Sequence, residues 1–193
     1  MNKISVNILT LNGASAFIEK AIESVLPYSD DIIVYDTGST DDTLRILKKY
    51  PVTVQFEDIQ HLGKTWTNSK KDIALTQLLN ELKDLSVGDY ILKIDDDEVY
   101  PRELMEEIVN ADLTEPIYSI NFLHVGNNFK LHPIKRLFKN TKEINWNGIY
   151  GTETIALSGK RVSSQKCPTL KHFFYHLGGL RKDTERQHVY EYL

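Results

Sequence analysis

The chain has 193 residues, of which 41% are hydrophobic and 26% charged, a composition that excludes extensive disorder. The single cysteine, Cys167, excludes an internal disulfide framework and a zinc site built from several thiolates. No apolar run approaches the roughly 20 residues that a membrane-spanning helix needs. The first residues predict a strand rather than a signal peptide. We therefore expect a cytoplasmic protein, with a peripheral position at a membrane surface as the alternative.

Charges are distributed unevenly along the chain. Residues 1–128 hold 11 Lys and Arg against 22 Asp and Glu, a net charge of −11, whereas residues 129–193 hold 12 against 5, a net charge of +7. One interpretation is that each part of the chain exposes a solvated face, negatively charged in the first part and positively charged in the second. The other is an acidic, cation-binding part beside a basic part that contacts phosphate groups. The net charge of −4 argues against tight, non-specific DNA binding.

Strands and helices are predicted to alternate over the first 110 residues, because the hydrophobic spacing alternates between the two types. Strands are expected at 4–11, 31–36, 52–56 and 90–94, and helices at 16–26, 43–49, 65–82 and 101–110. This alternation indicates right-handed βαβ units and a mainly parallel sheet flanked by helices.

The pattern changes after about residue 115. Strands are expected at 117–125, 135–139 and 170–175 without long helices between them, and a helix is expected at 183–193. We therefore predict an α/β fold of Rossmann-like type, with a small mixed β extension or a lid in the C-terminal third.

Four acidic residues, Asp95 to Glu98, directly follow the strand predicted at 90–94. On an extended segment, Asp95 and Asp97 would project to the same side. Carboxylates this close repel one another unless a cation neutralises them, and Mg²⁺ or Mn²⁺ prefers such oxygen ligands. Ligands of open α/β sheets bind outside the carboxyl ends of the strands. A metal site is therefore predicted here, with a solvent-facing acidic loop as the alternative.

Another acidic residue, Asp36, ends the strand predicted at 31–36. A carboxylate at a sheet edge is suited to accept hydrogen bonds from a nucleobase or ribose, whereas Ser39 to Asp42 are explained equally well by capping of the next helix. Lys135 and Arg136 are expected on a solvated strand face, with contact to phosphate as the alternative.

Four segments together resemble the family-two glycosyltransferases, which have the GT-A fold: ISVNILTLNGASAFIEKAIESVL, DDIIVYDTGSTDDTLRI, DYILKIDDDEVYP and RLFKNTKEINWNG. The similarity covers about residues 3–153, and its pattern is closest to members related to lipopolysaccharide-core β-glucosyltransferases. It implies an inverting, metal-dependent transfer of a sugar from a nucleotide-diphosphate sugar, UDP-linked, to an acceptor hydroxyl. It also implies a single GT-A domain, with a nucleotide-binding half (1–115) and an acceptor-side half (116–193).

The resemblance also implies roles for eight residues at positions that match the family's motifs. The donor nucleotide would be held by Thr10, Asp36, Lys71, Asp95 and Asp96, and Mn²⁺ or Mg²⁺ by Asp95, Asp97 and His176. Glu153 would be the catalytic base. This chain has Lys71-Asp72 where the family often has Arg-Asn, and Thr152-Glu153 where this branch often has His-Glu. His176 is explained equally well as a structural histidine.

Two other functions remain open from the sequence. One is a nucleotidyltransferase, although the glycine-rich first loop with a basic residue that is usual there is replaced by Leu11 to Ser15. The other is a non-catalytic module that binds nucleotide sugars or glycans. P-loop and dinucleotide-binding fingerprints are missing from the sequence, which argues against those enzyme classes. The acceptor is compatible with a glycan, a lipid-linked group, a peptide or a modified nucleic acid.

Overall fold

The computed structural model describes residues 1–58, 75–126, 131–148 and 154–180. In these residues the chain forms a central sheet of eight strands, a second sheet of three short strands, and four α-helices. The strands are β1 (Ile4–Thr10), β2 (Asp31–Asp36), β3 (Thr53–Phe56), β4 (Tyr90–Asp95), β5 (Glu98–Val99), β6 (Ile117–His124), β7 (His132–Lys139), β8 (Ile144–Asn147), β9 (Thr154–Leu157), β10 (Lys160–Arg161) and β11 (Thr169–His176). The helices are α1 (Ile18–Val25), α2 (Thr43–Leu47), α3 (Leu75–Leu85) and α4 (Arg102–Asn110).

The central sheet has the strand order β3-β2-β1-β4-β7-β6-β11-β5. Strands β3, β2, β1 and β4 run parallel, β7 is antiparallel to both of its neighbours, and β11 runs parallel to β6. The short β5 pairs antiparallel with the end of β11. Because β4 pairs with β7, the two predicted halves share one sheet, and their separation within a single domain stays a prediction.

Helices cover both faces of the sheet. β1 is buried along its whole length, as expected for a parallel strand inside such a sheet. On one face, α1 and α4 bury apolar side chains at helical spacing: Ile18, Ala21, Ile22, Val25, Leu104, Met105, Ile108 and Val109. On the other face, α3 buries Leu75, Leu78, Leu79 and Leu82 in a cluster with Phe138 and Trp146.

The second sheet has the order β10-β9-β8 and lies against α3. Asn80 of α3 accepts a hydrogen bond from the backbone N–H of Trp146 at 2.8 Å and donates one to the Trp146 carbonyl at 3.1 Å. These two bonds attach β8 to the helix. The Trp146 ring packs edge to face against Phe138 of β7 in the central sheet, with ring centroids 5.9 Å apart.

The predicted fold class is confirmed, and the strands of the parallel part lie within one residue of their predicted bounds. The helix predicted at 65–82 corresponds to α3, which continues to Leu85. Residues 65–74 of that prediction lie outside the described residues, and so does the helix predicted at 183–193. The mixed β extension predicted in the C-terminal third is formed by β6, β7 and β11, of which β7 is antiparallel and β11 parallel to β6. The second sheet, β10-β9-β8, is antiparallel. Strands β5, β8, β9 and β10 were not predicted, because two to four residues are too few to show an alternating pattern. None of the described helices is long and apolar enough to cross a membrane.

Candidate functional site

Asp36 ends β2 next to the end of β1, where it is paired in register with Thr10. It is fully buried, and its Oδ1 atom accepts hydrogen bonds from the backbone N–H groups of Gly38 at 2.9 Å and Ser39 at 2.8 Å. Gly38 has a φ of 108°, which L side chains rarely adopt. The Oδ2 atom of Asp36 has no hydrogen-bond partner among the described residues. One oxygen of this carboxylate is therefore still able to accept a donor.

The acidic segment turns rather than continuing as a strand. β4 ends at Asp95, residues 96 and 97 form a turn, and β5 begins at Glu98. The expectation that Asp95 and Asp97 project to the same side of an extended segment is therefore wrong. Asp96 contacts β1, since its Oδ2 atom accepts a hydrogen bond from Thr10 Oγ1 at 2.7 Å. This bond links the acidic turn to the sheet edge that carries Asp36.

Asp95 lies between two basic side chains. Its carboxylate forms ion pairs with Lys93 of the same strand and with Arg136 of β7. Burial alone would raise the pKa of Asp95, but the charges of Arg136 and Lys93 outweigh burial and hold this pKa well below its ordinary value. Each carboxylate oxygen already has a cationic partner, so Asp95 is the weakest of the three predicted metal ligands. Its contact with a metal stays a prediction.

Arg136 also forms an ion pair with Glu98, which is buried behind the acidic turn. The Glu98 carboxylate accepts further hydrogen bonds from the backbone N–H of Asp95 at 3.0 Å and from the Tyr100 hydroxyl at 3.2 Å. Burial raises the pKa of Glu98 to about 8 against the opposing charge of Arg136, and the Asp95 charge adds to the rise. The expectation that Arg136 lies on a solvated strand face is wrong, because the acidic turn covers it.

Asp97 and His176 are brought together by the pairing of β5 with β11. Asp97 Oδ1 lies 3.7 Å from His176 Nε2. A Cβ atom on Gly178 would lie 2.8 Å from Asp97 Oδ2 and 2.7 Å from His176 Cε1, so glycine keeps the space beside the pair clear. Burial lowers the pKa of His176, with the charge of Asp97 opposing and His124 adding to the shift. The imidazole is therefore neutral near pH 7, which is the form that binds metal ions.

Asp97 and His176 are the two predicted cation ligands that lie side by side among the described residues, and the full set with Asp95 stays a prediction. Within residues 1–58, 75–126, 131–148 and 154–180, no group of three His, Cys, Asp or Glu side chains is arranged to hold a metal ion. Asp97 and His176 nevertheless provide a carboxylate and a neutral imidazole, a donor pair that suits Mn²⁺. The space that Gly178 leaves clear lies against both side chains. The pair therefore fits two coordination positions of a divalent cation.

A cavity of about 320 Å³ lies beside Asp95, between the central sheet, α3 and the second sheet. Its polar lining comprises Lys93, Asp95, Lys135, Arg136 and Thr154, and Trp146 adds an aromatic surface. Lys135 is half-buried and donates hydrogen bonds to Thr154 Oγ1 and to the carbonyl of Val162. The expectation of a solvated strand face is thus wrong for Lys135 as well.

The sequence matches the family description Glycosyl transferase family 2 over residues 5–176. The chain belongs to this family. An uncharacterized glycosyltransferase of Rickettsia prowazekii (strain Madrid E) is 37% identical over 110 residues, which are 56% of this chain and 32% of that protein. One from Rickettsia felis (strain ATCC VR-1525 / URRWXCal2) is 38% identical over 110 residues, 56% of this chain and 33% of that protein. The match thus spans about a third of the length of these curated relatives.

Solved structures show the same fold as this family 2 chain. S. aureus TarS 1-349 superposes with a TM-score of 0.60 at 17% identity, covering 93% of this chain and 61% of that chain. Its complex with UDP-GlcNAc superposes with a TM-score of 0.59 at 18% identity, covering 91% of this chain and 58% of that chain. At this level of identity the likeness shows the shared GT-A-type architecture alone.

The structure of this family 2 member brings most of the predicted site residues to one edge of the sheet. Those described are Thr10, Asp36, Asp95, Asp96, Asp97 and His176. Lys71 and Glu153 lie outside the described residues, and the role of every residue in the set stays a prediction. Sequence reasoning missed Lys93, His124 and the burial of Arg136. Only Lys93 carries a signal, as a charged residue inside an otherwise apolar strand.

Proposed function

We propose that this family 2 member is an inverting glycosyltransferase that moves a sugar from a UDP-sugar to an acceptor hydroxyl and requires Mn²⁺ or Mg²⁺. The observation that carries the proposal is the hydrogen bond from Thr10 to Asp96. This bond connects the carboxyl end of β1, which lies beside Asp36, to the turn that carries Asp97. The carboxylate proposed to bind the nucleoside and the pair proposed to bind the cation therefore lie at the same end of the sheet. TarS, which has this fold, was solved with UDP-GlcNAc, and this supports a UDP-linked donor.

The nucleoside end of the donor would lie against Asp36. Its buried Oδ2 atom, which has no hydrogen-bond partner among the described residues, can accept a hydrogen bond from the N–H group of a pyrimidine base. Gly38 and Ser39 hold the other oxygen and so fix the direction of the carboxylate. Thr10, Lys71, Asp95 and Asp96 are proposed to complete this nucleotide site.

The diphosphate end would lie against Asp97 and His176, which would hold the cation. Bound there, a divalent ion stabilises the negative charge that develops on a diphosphate leaving group. The chain's own contribution is to hold these two ligands in place. Gly178 keeps the space free, and Arg136 anchors both ends of the acidic turn through Asp95 and Glu98.

Glu153 is the proposed base. The acceptor oxygen forms a bond to the anomeric carbon while the bond from that carbon to the diphosphate oxygen breaks, and the acceptor's proton passes to the Glu153 carboxylate. Attack from the side opposite the leaving group inverts the anomeric configuration. The cavity beside Asp95 suits a sugar, because it combines hydrogen-bonding side chains with the aromatic surface of Trp146.

The test is a donor screen with Mn²⁺ present, first by thermal shift and then by release of free nucleotide diphosphate. A UDP-sugar at a hundred times its Kd should stabilise the protein by about 2.7 kcal/mol and raise its Tm. Release of UDP on addition of an acceptor would support catalysis. Binding without any UDP release would favour a non-catalytic binding module, and a Tm unmoved by every nucleotide sugar would contradict the donor assignment.

A further inference from the structure

A second histidine contacts His176 on the side away from Asp97. β6 and β11 run parallel and both end on a histidine, and the register pairs His124 with His176. The Nδ1 atoms of the two rings lie 3.0 Å apart. The rings meet edge to face, with centroids 4.3 Å apart and an interplanar angle of 83°, and Phe122 packs against both.

The contact between the two Nδ1 atoms restricts where His176 carries its proton. Two ring nitrogens at 3.0 Å form a hydrogen bond only when one of them carries a proton and the other presents its lone pair. If Nδ1 of His176 is the donor, the Nε2 atom on the opposite side of that ring must present a lone pair. That Nε2 atom is the one that faces Asp97.

We propose that His124 is a positioning residue that accepts the Nδ1 proton of His176 and thereby directs the Nε2 lone pair of His176 towards the cation position beside Asp97. The inference rests on the proposed function, because it requires His176 to be a cation ligand. In this arrangement His124 accepts through Nδ1 and carries its own proton on Nε2. Groups that orient a metal-binding histidine through its other nitrogen typically change metal affinity by about 10–100-fold when they are removed.

The experiment measures the affinity of the UDP-saturated protein for Mn²⁺ by electron paramagnetic resonance of free Mn²⁺. His124→Phe removes the acceptor and should weaken Mn²⁺ binding by about 10–100-fold. His124→Asn places an amide oxygen close to the position of Nδ1, so it should restore affinity to within a few fold of wild type. His132→Phe is the matched control, because His132 packs on the same Phe122 ring from β7 and should leave Mn²⁺ affinity unchanged.

The outcomes separate this inference from the proposed function. If His176→Ala weakens Mn²⁺ binding but His124→Phe does not, His124 has no positioning role while the cation site stands. If His176→Ala binds Mn²⁺ like wild type, the cation assignment fails and the inference fails with it. Equal losses in His124→Phe and His124→Asn would also overturn the inference, because a lost hydrogen-bond acceptor would then not be the cause.

A measurement on the wild-type protein applies even if His124→Phe does not fold. Nitrogen-15 NMR of the imidazole rings distinguishes the two tautomers of each histidine. A single tautomer of His176 with the proton on Nδ1, in the protein before any metal ion is added, would support the proposal, because the contact with His124, and no metal ion, then selects the tautomer. A mixture of tautomers like that of a histidine in water would overturn it.

Discussion

The guanidinium of Arg136 forms ion pairs with Glu98 and Asp95 through a single nitrogen, Nη2. The strand β7 is thereby tied to both ends of the acidic turn. The Nε atom of Arg136 is buried with no hydrogen-bond partner among the described residues, so the contacts with Asp95 and Glu98 depend on Nη2. Two carboxylates that share one buried cation depend strongly on its presence.

Replacement of Arg136 by methionine should therefore be strongly destabilising. Arg136→Met leaves Glu98 buried without its cation, and breaking a buried ion pair in this way costs about 3–5 kcal/mol. The free energy of unfolding, measured in urea at pH 9, where Glu98 with its pKa of about 8 is ionised, should fall by that amount. Lys139→Met, at an exposed position of the same strand, should change it by less than about 0.5 kcal/mol.

A second substitution identifies the cause of that loss. Glu98→Gln removes the buried charge, so the double variant with Arg136→Met should be more stable than Arg136→Met alone. If the two substitutions were simply additive, the ion pair would not be the source of the destabilisation.

Asp36→Asn separates the folding role of Asp36 from nucleotide binding. The asparagine keeps the oxygen that accepts from Gly38 and Ser39 but has an NH₂ group in place of Oδ2, which has no hydrogen-bond partner in the described part of the chain. A donor would then face the donor of the base, so UDP affinity should fall by about 10–100-fold while stability changes by about 1 kcal/mol or less. Isothermal titration with UDP measures the first and urea unfolding the second. Asp31→Asn, at the other end of β2, is the control and should bind UDP like wild type; equal UDP affinities for both variants would contradict the role of Asp36.

Two glycine substitutions should affect different properties, one the affinity for Mn²⁺ and the other the stability of the fold. In Gly178→Ala the new Cβ would lie 2.8 Å from Asp97 Oδ2, so Mn²⁺ affinity should fall about tenfold or more. In Gly159→Ala the new Cβ would have no neighbouring atom within 4 Å, so it causes no clash. The φ of 75° at this position nevertheless disfavours alanine and should lower stability by about 1 kcal/mol. Mn²⁺ affinity of Gly159→Ala should match wild type. Unchanged Mn²⁺ binding in Gly178→Ala would contradict the proposed cation position beside Asp97 and His176.

The carboxylate of Glu107 on α4 should make stability depend on pH. Partial burial alone would raise the pKa of Glu107, but the backbone N–H groups of Lys171 and His172, at 2.8 and 3.0 Å, and the His172 ring outweigh it, so the pKa is lowered. The unfolded chain therefore binds this proton more readily than the native protein does. The stabilisation is present above the unfolded pKa and is lost as pH falls through the native one.

Glu107→Gln tests this dependence. The variant should be about 1–2 kcal/mol less stable than wild type at pH 7, because an amide NH₂ would face one of the two N–H donors. The difference should shrink as the pH is lowered towards 3, as followed by urea unfolding at each pH. Glu103→Gln, exposed on the same helix, should show no such convergence. A gap between Glu107→Gln and wild type that stays constant with pH would mean that ionisation of Glu107 is not involved.

Local pattern was sufficient for the parallel part of the fold and for the location of the site. The apolar runs of β1, β2 and β4 and the apolar stripes of α1 and α4 are properties of neighbouring residues, so they can be predicted without the partner strands. Because parallel strands end at the same edge, Asp36 and the acidic segment after β4 lie at the same end of the sheet.

The sequence by itself thus determined the α/β class, the order of the first strands and helices, the family, and the sheet edge at which polar side chains gather. Tertiary structure alone decided that Asp95 contacts Arg136, that Asp97 meets His176, and that His124 lies behind His176. These contacts join strands that are 40 or more positions apart in the chain, through the insertion of β7 beside β4 and the pairing of β11 with β5 and β6. Hydrophobic periodicity reports which face of a segment is buried, but it holds no information about which distant strand will cover that face.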